Sequence, residues 1–307
     1  MFEALLVRVP ATTANLGAGY DLIGTALSLY NAFAFEPLSE QDNNYVQITA
    51  TGRFGGEVNF PLDQRNVVWQ AFHTLFQERQ QATPAVAIEL AMAIPPARGL
   101  GSSSTAIVAG LLAANAWLER PFSQAEILQK AIAWEGHPDN VAPALLGGCI
   151  LSLETAEGYA SFPLQVPANL NWVVCFPEFE LETKTARSVV PEHFSRADCI
   201  ANTSYLAALV AGLAQNNDAL LRLGLNDRLH QPYRQALVPG MPEVMQAARQ
   251  AGALGSVLSG AGPSLLALCR EEAERVAAAM QAEWNKQGIS CDYVIASLDT
   301  QGAVVIY

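Results

Sequence analysis

Residues 94–105, Ile94 to Thr105 (IPPARGLGSSST), lie between an alternating apolar run and a helical one. Val86, Ile88, Leu90, Met92 and Ile94 alternate with Ala or Glu, the pattern of a half-buried strand, and Pro95-Pro96 ends it. Beyond the serines, Ala106 to Leu118 is apolar enough to be a helix packed on several sides. Glycines let a backbone come close to an anion and reach positive φ. A helix start offers unpaired N–H groups and the positive end of a dipole. One serine is enough to cap a helix, so three in a row exceed what capping needs. The segment therefore predicts a phosphate cradle rather than a plain capped turn.

The rest of the chain restricts how phosphate is held. There are three lysines, Lys130, Lys184 and Lys286, and none follows a glycine. The G-x-x-x-x-G-K-[ST] phosphate loop is thereby excluded, leaving backbone N–H groups, hydroxyls, arginine or a metal. The formal charge of −12 disfavours nucleic acid and anionic membranes as partners. The five cysteines, Cys149, Cys175, Cys199, Cys269 and Cys291, are odd in number and form no C-x-x-C pair. They predict free thiols in a reducing compartment. The first residues lack a basic region followed by an apolar core, and the apolar stretch 105–118 is shorter than the roughly 20 residues of a membrane span. A cytoplasmic location is expected.

Periodicity divides the chain near residue 160 into halves 1–160 and 161–307. In the first half, Leu5, Val7 and Val9 form a strand that Pro10 is expected to stop. Residues 67–76 and 124–135 have helical spacing. In the second half, strands are expected at 172–176, 254–258, 265–269 and 291–298. Helices are expected at 195–215, 218–223, 242–251 and 271–286. This order fits a split β-α-β arrangement on an antiparallel sheet. The predicted fold class is α+β, in two domains with a cleft between them.

The Ile94–Thr105 segment resembles the ATP motif of the superfamily formed by galactokinases, homoserine kinases, mevalonate kinases and phosphomevalonate kinases. Three further segments carry the same resemblance: Pro10–Asp21 (PATTANLGAGYD), Trp134–Gly148 (WEGHPDNVAPALLGG) and Ser259–Ser264 (SGAGPS). Within the superfamily they are similar to the homoserine kinases. The resemblance implies an N-terminal domain like that of certain ribosomal proteins and a ferredoxin-like C-terminal domain. It implies ATP contacts along Pro95, Pro96, Ala97, Arg98, Gly99, Leu100, Gly101, Ser102, Ser103, Ser104 and Thr105. Asn15 and Asp21 would line the acceptor pocket, where Asp21 suits a substrate ammonium group. His137, Asn140 and Thr183 would also contact the acceptor.

Arg187 and Arg234 match the family's two arginines, and guanidinium suits a carboxylate. Taken singly, each would be read as a solvated charge, as Arg222 and Arg228 are. Glu135 ends a helix, where the dipole disfavours a carboxylate; with Ser102 it is expected to hold Mg²⁺. Asp139 stands where relatives carry an aspartate base, and Asn140 could instead position a hydroxyl for direct attack. Gly260 and Gly262 would form a second wall facing the phosphates. The implied reaction converts ATP and L-homoserine to O-phospho-L-homoserine, on the route to threonine. A mevalonate-type kinase, a non-catalytic sensor and an RNA-binding module are the competing readings, the last opposed by the charge. A homodimer is compatible with everything above, and nothing in the sequence requires one.

Overall fold

A computed structural model describes residues 2–39, 41–57 and 59–307. In chain order the elements are β1 Leu5–Ala14, β2 Ile23–Pro37, β3 Val46–Thr51, α1 Val67–Glu78, β4 Val86–Ala91, α2 Ser102–Trp117, α3 Gln124–Glu135, α4 Pro138–Leu146, β5 Cys149–Thr155 and β6 Gly158–Leu164. They continue with β7 Asn171–Pro177, α5 Thr183–Ser188, α6 Arg196–Gln215, α7 Asp218–Gly224, α8 Gln231–Arg234, α9 Met241–Gln250, β8 Gly255–Leu258, β9 Leu265–Cys269, α10 Ala273–Lys286, β10 Cys291–Ala296 and β11 Val304–Ile306. The result is the expected α+β class, in two domains.

The first sheet runs β11-β1-β2-β4-β3, with β5 added to β2 and β6 to β5. Its outer strand β11 comes from the far end of the sequence, and Leu6, Val7 and Arg8 pair with Ile306, Val305 and Val304. The second sheet runs β10-β7-β9-β8 with every neighbour antiparallel. Counted within that domain the order is 4-1-3-2, with α10 between its third and fourth strands, which is the split β-α-β layout.

Three apolar clusters follow from the strand pattern. One fills the space between the first sheet and helices α1 to α4, with Val7, Phe33, Phe35, Phe72 and Leu111 buried. A second joins the domains. The continuous apolar run of β7 explains it, because such a strand is covered on both faces. Trp172, Val174 and Phe176 point toward Leu16, Ile23 and Leu27 of the first domain. Val173 and Cys175 point the other way, into a third cluster with α9 and α10. A shared apolar core of this kind resists free hinging between the domains. Four of the cysteines lie buried as free thiols and Cys199 is exposed.

Two element boundaries differ from expectation by four residues, and the others by fewer. Pro10 does not end β1, which continues to Ala14 with an irregularity in register between Pro10 and Ala11. A bulge tolerates the missing proline N–H, so Thr12, Thr13 and Ala14 are strand residues. The helix expected from Ala106 starts at Ser102, and the serines form its first turn. Helix α6 is the one helix among the described residues with the length and mean hydropathy, 1.3, to cross a membrane. It packs on α7 through Leu209, Gly212 and Leu213, and its Asn202 donates to the Ala18 carbonyl.

The seat of α4 depends on Gly24 of β2. A Cβ at that position would lie 1.6 Å from the Asp139 carbonyl oxygen. Gly24→Ala is expected to push α4 off the sheet and cost on the order of 1–3 kcal/mol or more. Urea unfolding checks this, and an unchanged midpoint would contradict it.

Candidate active site

The phosphate loop is shaped by backbone first. Ala97, Gly99 and Gly101 have positive φ, and Gly101 caps α2 without a side chain. A Cβ on Gly101 would meet Thr12 Oγ1 at 2.0 Å. The first bond into the helix is Thr105 N–H to the Gly101 carbonyl. The N–H groups of Ser102, Ser103 and Ser104 precede it and supply the anion-binding turn. Asn31 of β2, fully buried, ties the loop at both ends. Its Oδ1 accepts from Ala93 and Ile94 N–H, and its Nδ2 donates to Thr105 Oγ1 at 3.1 Å. Sequence reading passed over Asn31; a lone Asn in the apolar run of β2 was the available signal.

The expected phosphate residues divide by orientation. Ala97, Arg98, Gly99, Leu100, Gly101, Ser102 and Ser103 line the cleft. Ser104 lies beneath it and donates to Glu135 Oε1 at 3.1 Å. Thr105 faces the interior and donates to the Ser102 carbonyl. Arg98 turns toward the other domain: its Nε donates to the Pro177 carbonyl and its Nη2 to that of Glu178. Pro96 lines the neighbouring apolar pocket, and Pro95 a groove on the opposite side.

The second glycine loop meets the first directly. Ser259 Oγ donates to the Gly99 carbonyl at 2.7 Å. Gly260 N–H donates to the Ala14 carbonyl, and Asn15 Nδ2 to the Gly260 carbonyl at 2.8 Å. Gly260 borders the cleft while Gly262 stands outside its lining.

Asn15, Glu135, His137, Asp139, Asn140, Thr183, Arg187 and Arg234 converge on the cleft, a cavity of about 90 Å³. Asp21 joins them through Arg187, whose guanidinium donates to both carboxylate oxygens at 2.8 and 3.0 Å. Arg234 is 1% exposed and has no carboxylate partner among the described residues. Burial lowers its pKa, chiefly by desolvation. A buried cation without a counter-ion is a place for an anionic ligand group. Thr12 Oγ1 donates to Asn140 Oδ1 at 2.7 Å, which turns the amide N–H₂ toward the cavity.

His137 Nδ1 lies 2.6 Å from Asp139 Oδ1, and Asp139 is 1% exposed. Burial alone would lower the His137 pKa; the bond to Asp139 and the charges of Asp139 and Glu135 outweigh it and raise the value. Beside the loop lies a larger pocket of about 530 Å³. Phe33, Phe60, Leu90, Met92 and Leu181 supply apolar wall, and Asn59 and Asn66 supply polar edges. A nucleoside fits such a site. Pro96, Ala97, Ser102, Ser103 and Thr183 reach it from the expected site residues; the rest of its lining comes from scattered segments without a common motif, so the sequence held no signal for them.

The sequence matches the family described as GHMP kinases N terminal domain over residues 66–148, and GHMP kinases C terminal over residues 206–286. The chain belongs to the GHMP kinases, the ATP-dependent kinases that the fold and cleft define. Its full-length relatives are homoserine kinases. That of Microchaete diplosiphon is 50% identical over 302 residues, covering 98% of this chain and 97% of the relative. That of Trichormus variabilis is 48% identical, covering 98% of each. The crystal structure of homoserine kinase from Cytophaga hutchinsonii superposes with a TM-score of 0.89 at 31% identity, over 100% of this chain and 98% of that one. The crystal structure of L. major mevalonate kinase in complex with R-mevalonate shares the fold, with a TM-score of 0.74 at 15% identity over 96% of each chain.

Glu135 has a raised pKa. Desolvation is the main cause, opposed by the His137 charge and the Ser104 hydrogen bond. A carboxyl whose folded pKa is raised costs stability above that pKa, and the cost vanishes below the unfolded value. Glu135→Gln is therefore expected to raise the thermal midpoint of the ligand-free protein at pH 7. The gain should disappear near pH 4, where both side chains are neutral. Equal midpoints at pH 7 would show that the carboxylate is not under strain.

Proposed function

We propose that the chain transfers the γ-phosphoryl group of ATP to the hydroxyl of L-homoserine, forming O-phospho-L-homoserine for threonine synthesis. The observation that carries the substrate assignment is the buried Arg234 guanidinium without a carboxylate, close to the Asp21–Arg187 pair. A zwitterionic alcohol answers both: its carboxylate meets the arginines and its ammonium meets Asp21. Mevalonate has no ammonium group to offer Asp21. The full-length homoserine kinase relatives support the same assignment.

ATP places its nucleoside in the pocket bordered by Phe60 and Leu181 and its phosphates against the N–H groups at the start of α2. Ser102 and Glu135 are both in the cleft and offer hard oxygen donors. Mg²⁺ is commonly held by few protein oxygens together with phosphate and water, so this donor set fits it. When bound, the ion supplies charge neutralisation across the phosphates. Asn140, turned by Thr12, directs its amide to the acceptor hydroxyl. Asp139 already engages His137 through one oxygen. Its part is to hold that histidine; the hydroxyl oxygen attacks the γ-phosphorus directly, its proton passes to an oxygen of the transferred phosphoryl group, and the phosphorus–oxygen bond to ADP breaks. Arg187 and Thr183 close the acceptor side.

Coupled measurement of ADP release with L-homoserine and with mevalonate tests the substrate. L-homoserine is expected to be the preferred acceptor by orders of magnitude, and preference for mevalonate would overturn the assignment. Asp139→Asn is expected to retain turnover within about tenfold, whereas loss of a general base typically costs about 10²–10⁴-fold. Arg234→Lys is expected to reduce kcat/KM for L-homoserine by at least about thirtyfold, because a buried charged contact is lost.

A further inference from the structure

Arg234 is held by groups that none of the sequence motifs explained. Its Nε donates to the Ala186 carbonyl at 2.9 Å, and one Nη1–H donates to the Gly260 carbonyl at 3.0 Å. The other Nη1–H faces His230 Nδ1 at 3.3 Å. Its Nη2 has only the Tyr20 hydroxyl, at 3.4 Å. Four of the five N–H groups thus have internal partners, the Tyr20 contact being the longest, and the Nη2 arm is the one that keeps an N–H for a ligand. Ala186 is on α5, Gly260 on the second glycine loop and His230 at the start of α8. The guanidinium plane is fixed from three directions.

His230 is itself fixed. It is 0% exposed and stacks on Tyr20, with ring centroids 4.8 Å apart at 16°. The Arg234 guanidinium carbon lies 5.2 Å from the centre of the same tyrosine ring. Asp227 sits behind the histidine, its side chain fully buried. One oxygen accepts from His230 and Gln231 N–H and the other from Leu229 N–H. Because Nδ1 accepts from Arg234, the imidazole proton resides on Nε2, which lies 3.8 Å from Asp227 Oδ2. Burial, with the Arg234 charge working in the same direction and Asp227 against it, keeps the His230 pKa well below the usual histidine value. A protonated ring could not accept from Arg234 and would add a second cation to the same pocket.

Resting on the assignment of an amino-acid alcohol as substrate, we propose that His230, seated by Asp227 and Tyr20, is a positioning residue for the carboxylate subsite: its Nδ1 holds one arm of Arg234 so that the Nη2 arm faces the substrate. The histidine touches neither substrate nor phosphate. It acts through the arginine, and its removal should affect acceptor binding far more than ATP binding or the chemical step.

Two variants and one spectrum test this. His230→Leu removes the acceptor at similar volume, and His230→Asn places an amide oxygen near Nδ1. His230→Leu is expected to raise KM for L-homoserine by about tenfold or more, as for a lost hydrogen bond to a charged group. KM for ATP should stay within about twofold on the same scale. His230→Asn should recover most of the loss. 3-Aminopropan-1-ol, which lacks the carboxylate, should be phosphorylated poorly and equally by all three proteins. An unchanged KM in His230→Leu, a leucine variant no worse than the asparagine one, or equal losses for L-homoserine and the amino alcohol would each overturn the proposal.

The spectrum is of the wild-type protein with ¹⁵N-labelled arginine. A clamped guanidinium gives separate Nη–H signals for Arg234, assigned by their loss in Arg234→Lys; they should merge in His230→Leu. Merged signals in the wild-type protein would overturn the clamp even if no variant folds. This measurement needs no substrate, so a wild-type enzyme that rejected L-homoserine but kept the separate signals would refute the substrate assignment and leave the clamp standing.

Discussion

The last three residues of the first strand, with Asn15 just after them, hold the cleft together. Thr12 N–H donates to the Leu100 carbonyl of the phosphate loop, and the Thr12 hydroxyl to Asn140. Thr13 Oγ1 is hydrogen-bonded to Ser259 Oγ, the Ala14 carbonyl accepts from Gly260 N–H, and Asn15 donates to the Gly260 carbonyl. Two glycine loops and the first turn of α4, from two domains, therefore meet one short length of backbone. Each contact is a directional hydrogen bond in a buried place, where a missing partner costs more than the bond itself returns. The loops are consequently fixed relative to one another without a disulfide.

Electrostatics in the cleft are local. The molecule carries a net charge of −12 and binds an anionic nucleotide. Helix-start N–H groups and two arginines provide attraction at short range, where screening by the rest of the surface matters least. The two arginines are treated differently. Arg187 is neutralised by Asp21 and half open to solvent, while Arg234 is buried and faces mostly neutral acceptors. Under the proposed assignment, a neutral pair and an unpaired cation side by side discriminate among small alcohols by the number and sign of their charges.

Much of this was legible in the sequence because local pattern and local geometry coincide. The alternating run at Val86–Leu90, the helices at 124–135 and 218–224, and the second-domain strands all follow periodicity that the structure reproduces. The fifteen-residue β2 escaped notice because it changes partners along its length. It pairs with β5 at one end and β4 at the other, so its burial does not alternate cleanly. Pro10 misled because a bulge absorbed its missing donor. Residues of the cleft were readable where they cluster in motifs. Asn31, Thr12 and His230 were not, since each works through another residue and nothing in its immediate sequence announces the partner. Arg98 shows the converse: it lies inside the motif, yet its guanidinium is spent on the carbonyls of Pro177 and Glu178.

The pairing of β11 with β1 has a consequence for the order in which the molecule can be made. Leu6 finds Ile306 as its partner, 300 positions further along. At synthesis rates of 5–20 residues per second, roughly 15–60 s pass before that partner exists. During this time the outer edge of β1 stands open beside a finished β2. Arg8 and Pro10 on the waiting strand provide a charge and a missing donor, features that discourage an open edge from recruiting a neighbouring chain. The first domain can gather its helices early, but its sheet is sealed only after the second domain has left the ribosome.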